Sequence, residues 1–468
     1  MPIVLNPGPT VVAAAASVVS LDDLAAARAQ MGFSLAWHIV LACLGVGLPL
    51  LTVIAEWRGN RTGDPHYRLL ARRWGKAMGV LFAVGAVSGT ILSFEMGLLW
   101  PGLMGQFGQV IGLPFAMEGI AFFIEAIFLG IYLYGWDRLP PRRHVLTGIP
   151  IIVAGVASAF FVVTANAWMN QPRGVTIVAG KVVDVRPWAA MFNPATPPET
   201  IHMILAALMV AAFLTASVYA VAILRGRDDR YHRLGFFLPF TLGAVITPFQ
   251  IIAGDYAARF LAHYQPTKLA AIEGVYQTGP YIPLTLGGVA VGDQLRYGLE
   301  IPDGLSLLVG YRPDTVVRGL NDTPRELWPP ITVVHLSFDV MVGVGFFLLA
   351  LGACLLFGWL ARRRRGVRPA GWRVFLRLAA IAGPASVVAL EAGWTVTEEG
   401  RQPWVVWGLM SVHDAVNPAP GLRIGLWLVL VVYAGMTVAT VYVLRRLATG
   451  HPIPVAPRES DVEQYRVV

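Results

Sequence analysis

Nine apolar stretches, separated by connections alternately rich and poor in arginine, limit what this chain can fold into more than any other feature. They run roughly over 31–56, 76–99, 110–135, 145–168, 201–225, 234–253, 331–360, 373–392 and 423–445. A helix rises about 1.5 Å per residue and a bilayer's hydrocarbon core is about 30 Å thick, so stretches of this length can cross it. In lipid each segment must satisfy its own backbone N–H and C=O groups, which makes each crossing a helix. Composition agrees, with 56% of the 468 residues hydrophobic and 14% charged, against about 25% charged in soluble domains. The sequence predicts an all-α integral membrane protein, a bundle of nine transmembrane helices forming a single domain over residues 1–468 without internal repeats.

The basic residues predict its orientation. Arg58, Arg61, Arg68, Arg72, Arg73 and Lys76 fall in the first connection, Arg138, Arg142 and Arg143 in the third, and Arg225, Arg227, Arg230 and Arg233 in the fifth. Arg362 to Arg365 and Arg368 follow in the seventh, and Arg445 and Arg446 after the last stretch. The positive-inside rule puts this set in the cytoplasm, with the N-terminus outside and the C-terminus cytoplasmic. The long connections 169–200 and 254–330 then lie outside. The net charge of +8 thus reports orientation rather than nucleic-acid binding. The run Val11–Val19 is too short to span, and Ser20 reads as the N-cap of an interfacial lead-in over 21–30. Cys43 and Cys354 both lie in apolar runs, which argues against a disulfide framework.

Polar groups inside apolar spans are costly and mark function. His38 falls in the first span, about 10 Å below its outer edge. Alone it reads equally well as a histidine bonded to a backbone carbonyl. Glu118 and Glu125 in the third span are seven residues apart, two turns, and point the same way. Stacked carboxyls suggest a proton relay or a ligand with a relay, and otherwise a hydrogen-bonded tie between helices. His202 opens the fifth span and Met341 lies in the seventh. Histidine with methionine is a low-spin haem ligand pair, although methionine on an apolar helix is more often packing, and His335 competes as partner. The eighth span leads into GWTVTEEGRQPW at 393–404, with Trp394, Glu398, Glu399, Arg401 and Trp404. The orientation puts His38, Glu118, His202, Met341 and Glu398 in the outer half of five different spans, a depth they share. Lys268 and Glu273 in the connection 254–330 are five residues apart, so on a helix they do not share a face; taken alone they read as solvated loop charges.

The chain resembles subunit I of the cytochrome bd quinol oxidases over nearly its whole length. The segments that carry the resemblance are the His38 span, FAMEGIAFFIEAIFLGIYLYGWDRL, ANAWMNQPRG at 165–174, the His202 span, QPTKLAAIEG, FDVMVGVGF and GWTVTEEGRQPW. The resemblance implies that His202 and Met341 are the axial ligands of haem b558. It implies that His38 and Glu398 each hold one of two high-spin haems, b595 and d. Glu118 and Glu125 match the intramembrane glutamates implicated in proton delivery and haem coordination. Lys268 and Glu273 match the charged pair of the quinol-binding loop, placed here at 254–330, and Arg401 a cation suited to haem propionates.

The activity so implied is that of a quinol:oxygen oxidoreductase. Quinol is oxidised at the outer face, electrons pass through three haems, and O2 is reduced to water. Protons come from the cytoplasm without a pumping element. The implied partner is subunit II in a membrane heterodimer, with room for a small accessory single-span subunit, in a bacterial cytoplasmic membrane. The family pattern is broken at Asp339, where an arginine stands two residues before the methionine ligand. It is broken again in the third span, where the family's glutamates are eight apart, and the loop is of the short type. Two alternatives stay open: a related haem oxidase with only b-type haems or another electron donor, and a haem-free cation or proton transporter.

Overall fold

The computed structural model describes residues 21–365 and 371–449. The short run Val11–Val19, the cap at Ser20 and Arg368 lie outside these residues. Nine helices among the described residues are long and apolar enough to cross a membrane. They are α1 (Leu21–Thr62), α2 (Pro65–Leu99), α3 (Pro101–Gly135) and α4 (Pro141–Asn170), then, after the short α5 (Pro187–Met191), α6 (Thr196–Leu224) and α7 (Arg230–Tyr264). The short helices α8 (Pro266–Glu273) and α9 (Gly304–Gly310) precede α10 (Ile331–Arg365) and α11 (Trp372–Glu399), and α12 (Val412–Ala415) precedes α13 (Leu422–Thr449). Prolines at the first turns of α2, α3, α4 and α6 suit positions whose N–H groups have no helical partner. Asp64 and Asp229 cap α2 and α7 by accepting from the backbone of His66 and His232.

Several helices outrun their apolar stretches. The largest departure concerns the long connection expected at 254–330: α7 continues to Tyr264, so residues 254–264 belong to the span, and the excursion begins at α8. The excursion is not a loose loop. Strands β3 (Leu284–Leu286) and β6 (Leu299–Ile301) pair around the hairpin of β4 (Val289–Val291) and β5 (Gln294–Arg296). The hairpin β1 (Val175–Val178) with β2 (Lys181–Val185), and the pair β7 (Trp404–Val406) with β8 (Met410–Ser411), lie at the same end of the bundle. That end is called the loop end below, and the opposite one the arginine-rich end.

α6 lies at the centre, packed on α1, α4, α7 and α11. Small residues permit its close approaches. A Cβ built on Gly47 of α1 would stand 2.2 Å from Ala211 Cβ, and one on Gly383 of α11 2.4 Å from Ser217 Oγ. The largest apolar cluster joins α1, α2, α6, α7, α10 and α11 through Leu51, Leu70, Phe213, Phe236 and Phe240. This cluster fills the arginine-rich half and leaves most candidate ligands toward the loop end.

Candidate functional site

Each candidate iron ligand drawn from histidine or methionine stands against a glycine of the neighbouring helix. Gly89 of α2 faces His38, where a Cβ would meet the ring at 3.2 Å; Gly254 of α7 faces His202 at 3.4 Å; and Gly393 of α11 faces Met341 Sδ at 2.9 Å. His38 is also oriented. Ser88 Oγ donates to the Gly85 carbonyl at 3.0 Å, so the 2.7 Å contact between that oxygen and His38 Nδ1 has the imidazole as donor. The proton then sits on Nδ1 and leaves the Nε2 lone pair free, the arrangement a metal-ligating histidine needs. His202 Nε2 meets the Gln250 amide at 3.1 Å, while its buried Nδ1 has no hydrogen-bond partner among the described residues.

His335 does not compete as a ligand. Its Nδ1 lies 2.7 Å from the Ile272 carbonyl and its Nε2 2.9 Å from the Gly287 carbonyl. Both nitrogens are committed to holding α8 and the β3–β4 turn against α10.

The GWTVTEEGRQPW stretch is helical through Glu399, which carries Glu398 and Glu399 on the last turn of α11. Glu398 accepts from Asn166 Nδ2 at 2.6 Å and from Arg401 Nη2 at 2.6 Å. Arg401 is 3% exposed, and its Nε and Nη1 have no partner among the described residues. A buried donor left unsatisfied costs about 1–3 kcal/mol, so this guanidinium is set up for a further anionic acceptor. Glu399 forms a two-oxygen pair with Arg28 of α1 at 2.8 Å to each oxygen.

Lys268 is not a solvated loop charge. It is 5% exposed, and Nζ donates to Asn170 Oδ1 at 3.3 Å and to the Thr397 carbonyl at 3.0 Å. Asn170 Nδ2 donates in turn to Asn166 Oδ1 at 2.9 Å and Glu199 Oε1 at 3.0 Å. A continuous hydrogen-bonded chain thus runs Lys268–Asn170–Asn166–Glu398–Arg401 across α8, α4 and α11. Burial pulls the Lys268 ammonium below its usual range, opposed by the Glu199 and Glu398 carboxylates.

Glu273, also 5% exposed, points elsewhere, as the spacing of five predicts. Burial, and then the charge of Asp339, push it up to about 8. Asp339 itself accepts from the Gly287 N–H at 2.5 Å and lies 3.5 Å from His335 Nε2.

Glu118 and Glu125 both face α4: Ser158 Oγ donates to Glu118 Oε1 at 3.1 Å, and a Cβ on Gly155 would stand 3.7 Å from both Glu125 carboxylate oxygens. Sequence reasoning passed over Asn166, Asn170 and Glu199, which sit at span ends where polar residues are ordinary. It also passed over Glu391 in the middle of α11 and Glu95 in α2, although both are carboxyls within spanning helices. Glu95 is buried and accepts from Gln30 at 2.9 Å and Ser34 at 3.0 Å.

The donors present fit haem: an oriented imidazole, a second imidazole with an unpartnered nitrogen, a thioether over a glycine, and a carboxylate beside a partly unsatisfied guanidinium. Nine apolar helices carrying such donors define an integral membrane protein of the haem-binding redox class. The chain belongs to the cytochrome bd terminal oxidase subunit I family, whose pattern matches residues 26–452.

It is 38% identical over 439 residues to the putative cytochrome bd menaquinol oxidase subunit I of Bacillus subtilis (strain 168), covering 92% of this chain and 98% of that one. It is 26% identical over 516 residues to the cytochrome bd-II ubiquinol oxidase subunit 1 of Escherichia coli (strain K12), covering 95% and 99%. The solved bd oxidase of Geobacillus thermodenitrificans superposes with a TM-score of 0.87 at 39% identity, covering 92% of this chain and 99% of that one. The family is one of haem-containing membrane oxidases whose subunit I pairs with a subunit II. A haem-free transporter is thereby set aside.

Proposed function

We propose that this chain is the haem-bearing subunit of a quinol:oxygen oxidoreductase in a bacterial cytoplasmic membrane, paired with subunit II. The observation that carries the reading is the hydrogen-bonded chain from Lys268 to Arg401, because it joins the loop excursion to the candidate ligand Glu398 and an unsatisfied cation. The arginine-rich end faces the cytoplasm by the positive-inside rule. The excursion from α8 to residue 330 then faces outward, with Lys268 and Glu273 flanking the quinol. His202 and Met341 would hold haem b558, and His38 and Glu398 one each of haems b595 and d. Haem held by these residues would supply the redox chemistry that carries electrons to O2.

The chain's own groups do the rest. Glu273 takes a proton as quinol is oxidised, Lys268 fixes the quinol side of the network, and Arg401 neutralises carboxylate charge beside the iron-binding residues. Glu125 and Glu118 pass protons outward along α3 from the cytoplasm, so that charge separates without a pumping element.

The test is a reduced-minus-oxidised spectrum together with quinol-driven O2 uptake by the purified two-subunit enzyme. Met341→Ala should remove the low-spin bands and leave the high-spin ones. An unchanged spectrum would refute the pairing with His202, and failure to oxidise any quinol would sink the donor.

A further inference from the structure

Protons that reach Glu125 from the arginine-rich end need an entry. Below Glu125, α3 carries Tyr132, again seven residues on, so Glu118, Glu125 and Tyr132 lie on one face at two-turn intervals. Opposite them on α4 stand Ser158, Gly155 and Gly148 in the same order. A Cβ on Gly148 would come within 3.4 Å of the Tyr132 ring, as one on Gly155 would approach the Glu125 carboxyl.

The seam ends in a buried triad contributed by three helices. Tyr132 OH donates to Glu56 Oε2 at 2.7 Å, and His144 Nδ1 lies 2.6 Å from Glu56 Oε1. His144 Nε2 lies 2.9 Å from the Tyr132 carbonyl, which only accepts, so Nε2 carries a hydrogen. Glu56 and His144 are each 2% exposed and Tyr132 is fully buried. One proton is therefore shared between His144 Nδ1 and Glu56 Oε1, and the pair is neutral in sum whether it is imidazolium–carboxylate or imidazole–carboxylic acid. A buried pair whose proton can sit on either partner is a proton store that needs no net charge in hydrocarbon.

The triad also adjoins the surface. The Trp136 ring lies 4.3 Å from His144 between centroids, and Arg72 covers Trp136 at 5.1 Å. Beyond them Arg72 reaches Asp137, whose side chain is 82% exposed.

We propose that Glu56, Tyr132 and His144 form the proton entry that feeds Glu125 and then Glu118; this rests on the proton uptake assigned above. Tyr132 gives its hydroxyl proton toward Glu125 and regains one from the Glu56 carboxyl, which draws the proton it shares with His144. The Glu56–His144 pair is recharged from water at the arginine-rich surface. Each step moves one proton and returns the triad to its starting form. The gap between Tyr132 and Glu125, about 10 Å along the axis, is one for water to bridge.

The bland alternative is a polar tie between α1, α3 and α4, and Glu56→Gln separates the two. Its amide oxygen still accepts from Tyr132 and its amide N–H still donates to His144 Nδ1, so the tie survives while the mobile proton is lost. The experiment uses the two-subunit enzyme in vesicles with a pH indicator on the arginine-rich side. Glu56→Gln and Tyr132→Phe should lower kcat by roughly a hundredfold or more, with the quinol KM, the haem spectrum and single-turnover haem reduction unchanged. Full turnover in both variants would overturn the proposal, and so would activity lost only together with haem. If the wild-type enzyme takes up no protons from that side, the functional reading itself fails, which is a different result.

Discussion

At the scale of single residues, Glu273 and Asp339 are the informative pair. Glu273 is raised to about 8 by burial first and by the Asp339 carboxylate second. Below that pH it is protonated and cannot accept a proton from quinol; above it, it can. kcat/KM for quinol should rise with pH through about 8. Asp339→Asn removes the neighbouring negative charge while its amide oxygen still accepts from Gly287 N–H, so the inflection should move to lower pH. A pH–rate profile of quinol-driven O2 uptake in both enzymes checks this, and an inflection that stays put would show that Asp339 does not set it. His38 and His202 drew attention in the sequence because a polar group in an apolar run is costly, whereas Met341 reads as packing until the resemblance is drawn. Lys268 and Glu273 did not read as buried, because a stretch beside many Gly and Pro looks like solvated loop. Their burial depends on α8 lying against α4, α10 and α11, contacts with partners far away in sequence. Asn170 was illegible for a related reason, since an asparagine at a helix end is commonplace until its three side-chain hydrogen-bond partners, Lys268, Asn166 and Glu199, are known.

At the scale of helices, hydropathy located all nine spans but not their ends. Segments such as 65–75 at the start of α2 mix Arg and Trp with apolar residues, so a window of apolarity undercounts a helix that continues past the hydrocarbon. The contact between α10 and α11 turns on one glycine. A Cβ at residue 393 would stand 2.9 Å from Met341 Sδ, too close for both to stay, and the thioether is the flexible member. Gly393→Ala should therefore leave the fold and the high-spin bands intact while displacing the sulfur. The low-spin haem should lose or shift its signature in the reduced-minus-oxidised spectrum. An unaltered low-spin band would show that Met341 is not held where the proposed ligation needs it.

At the scale of the molecule, the orientation proposed from the arginines can be checked by labelling. Tyr297 at the tip of the β5–β6 turn is 89% exposed, and Arg61 is exposed at the end of α1. In intact right-side-out cells, Tyr297→Cys should react with a membrane-impermeant thiol reagent and Arg61→Cys should not. The reverse pattern would invert the bundle and with it the direction of proton uptake. The native Cys43 is buried and Cys354 lies on a spanning helix, so the background should be low.

The first and last helices are also joined. Trp37 Nε1 donates to Thr437 Oγ1 at 2.8 Å, the Trp37 and Tyr433 rings lie 4.7 Å apart, and Asp23 accepts from the backbone N–H groups of Gly421 and Leu422 that open α13. Asp22 pairs with Arg423 at the same corner. A ribosome delivers α1 well before α13, so while the chain between them is made the flank of α1 that carries Trp37, the residue before His38, waits without its partner. The wall beside that histidine is completed by a helix made long after it, which makes a chain terminated before α13 defective back at α1.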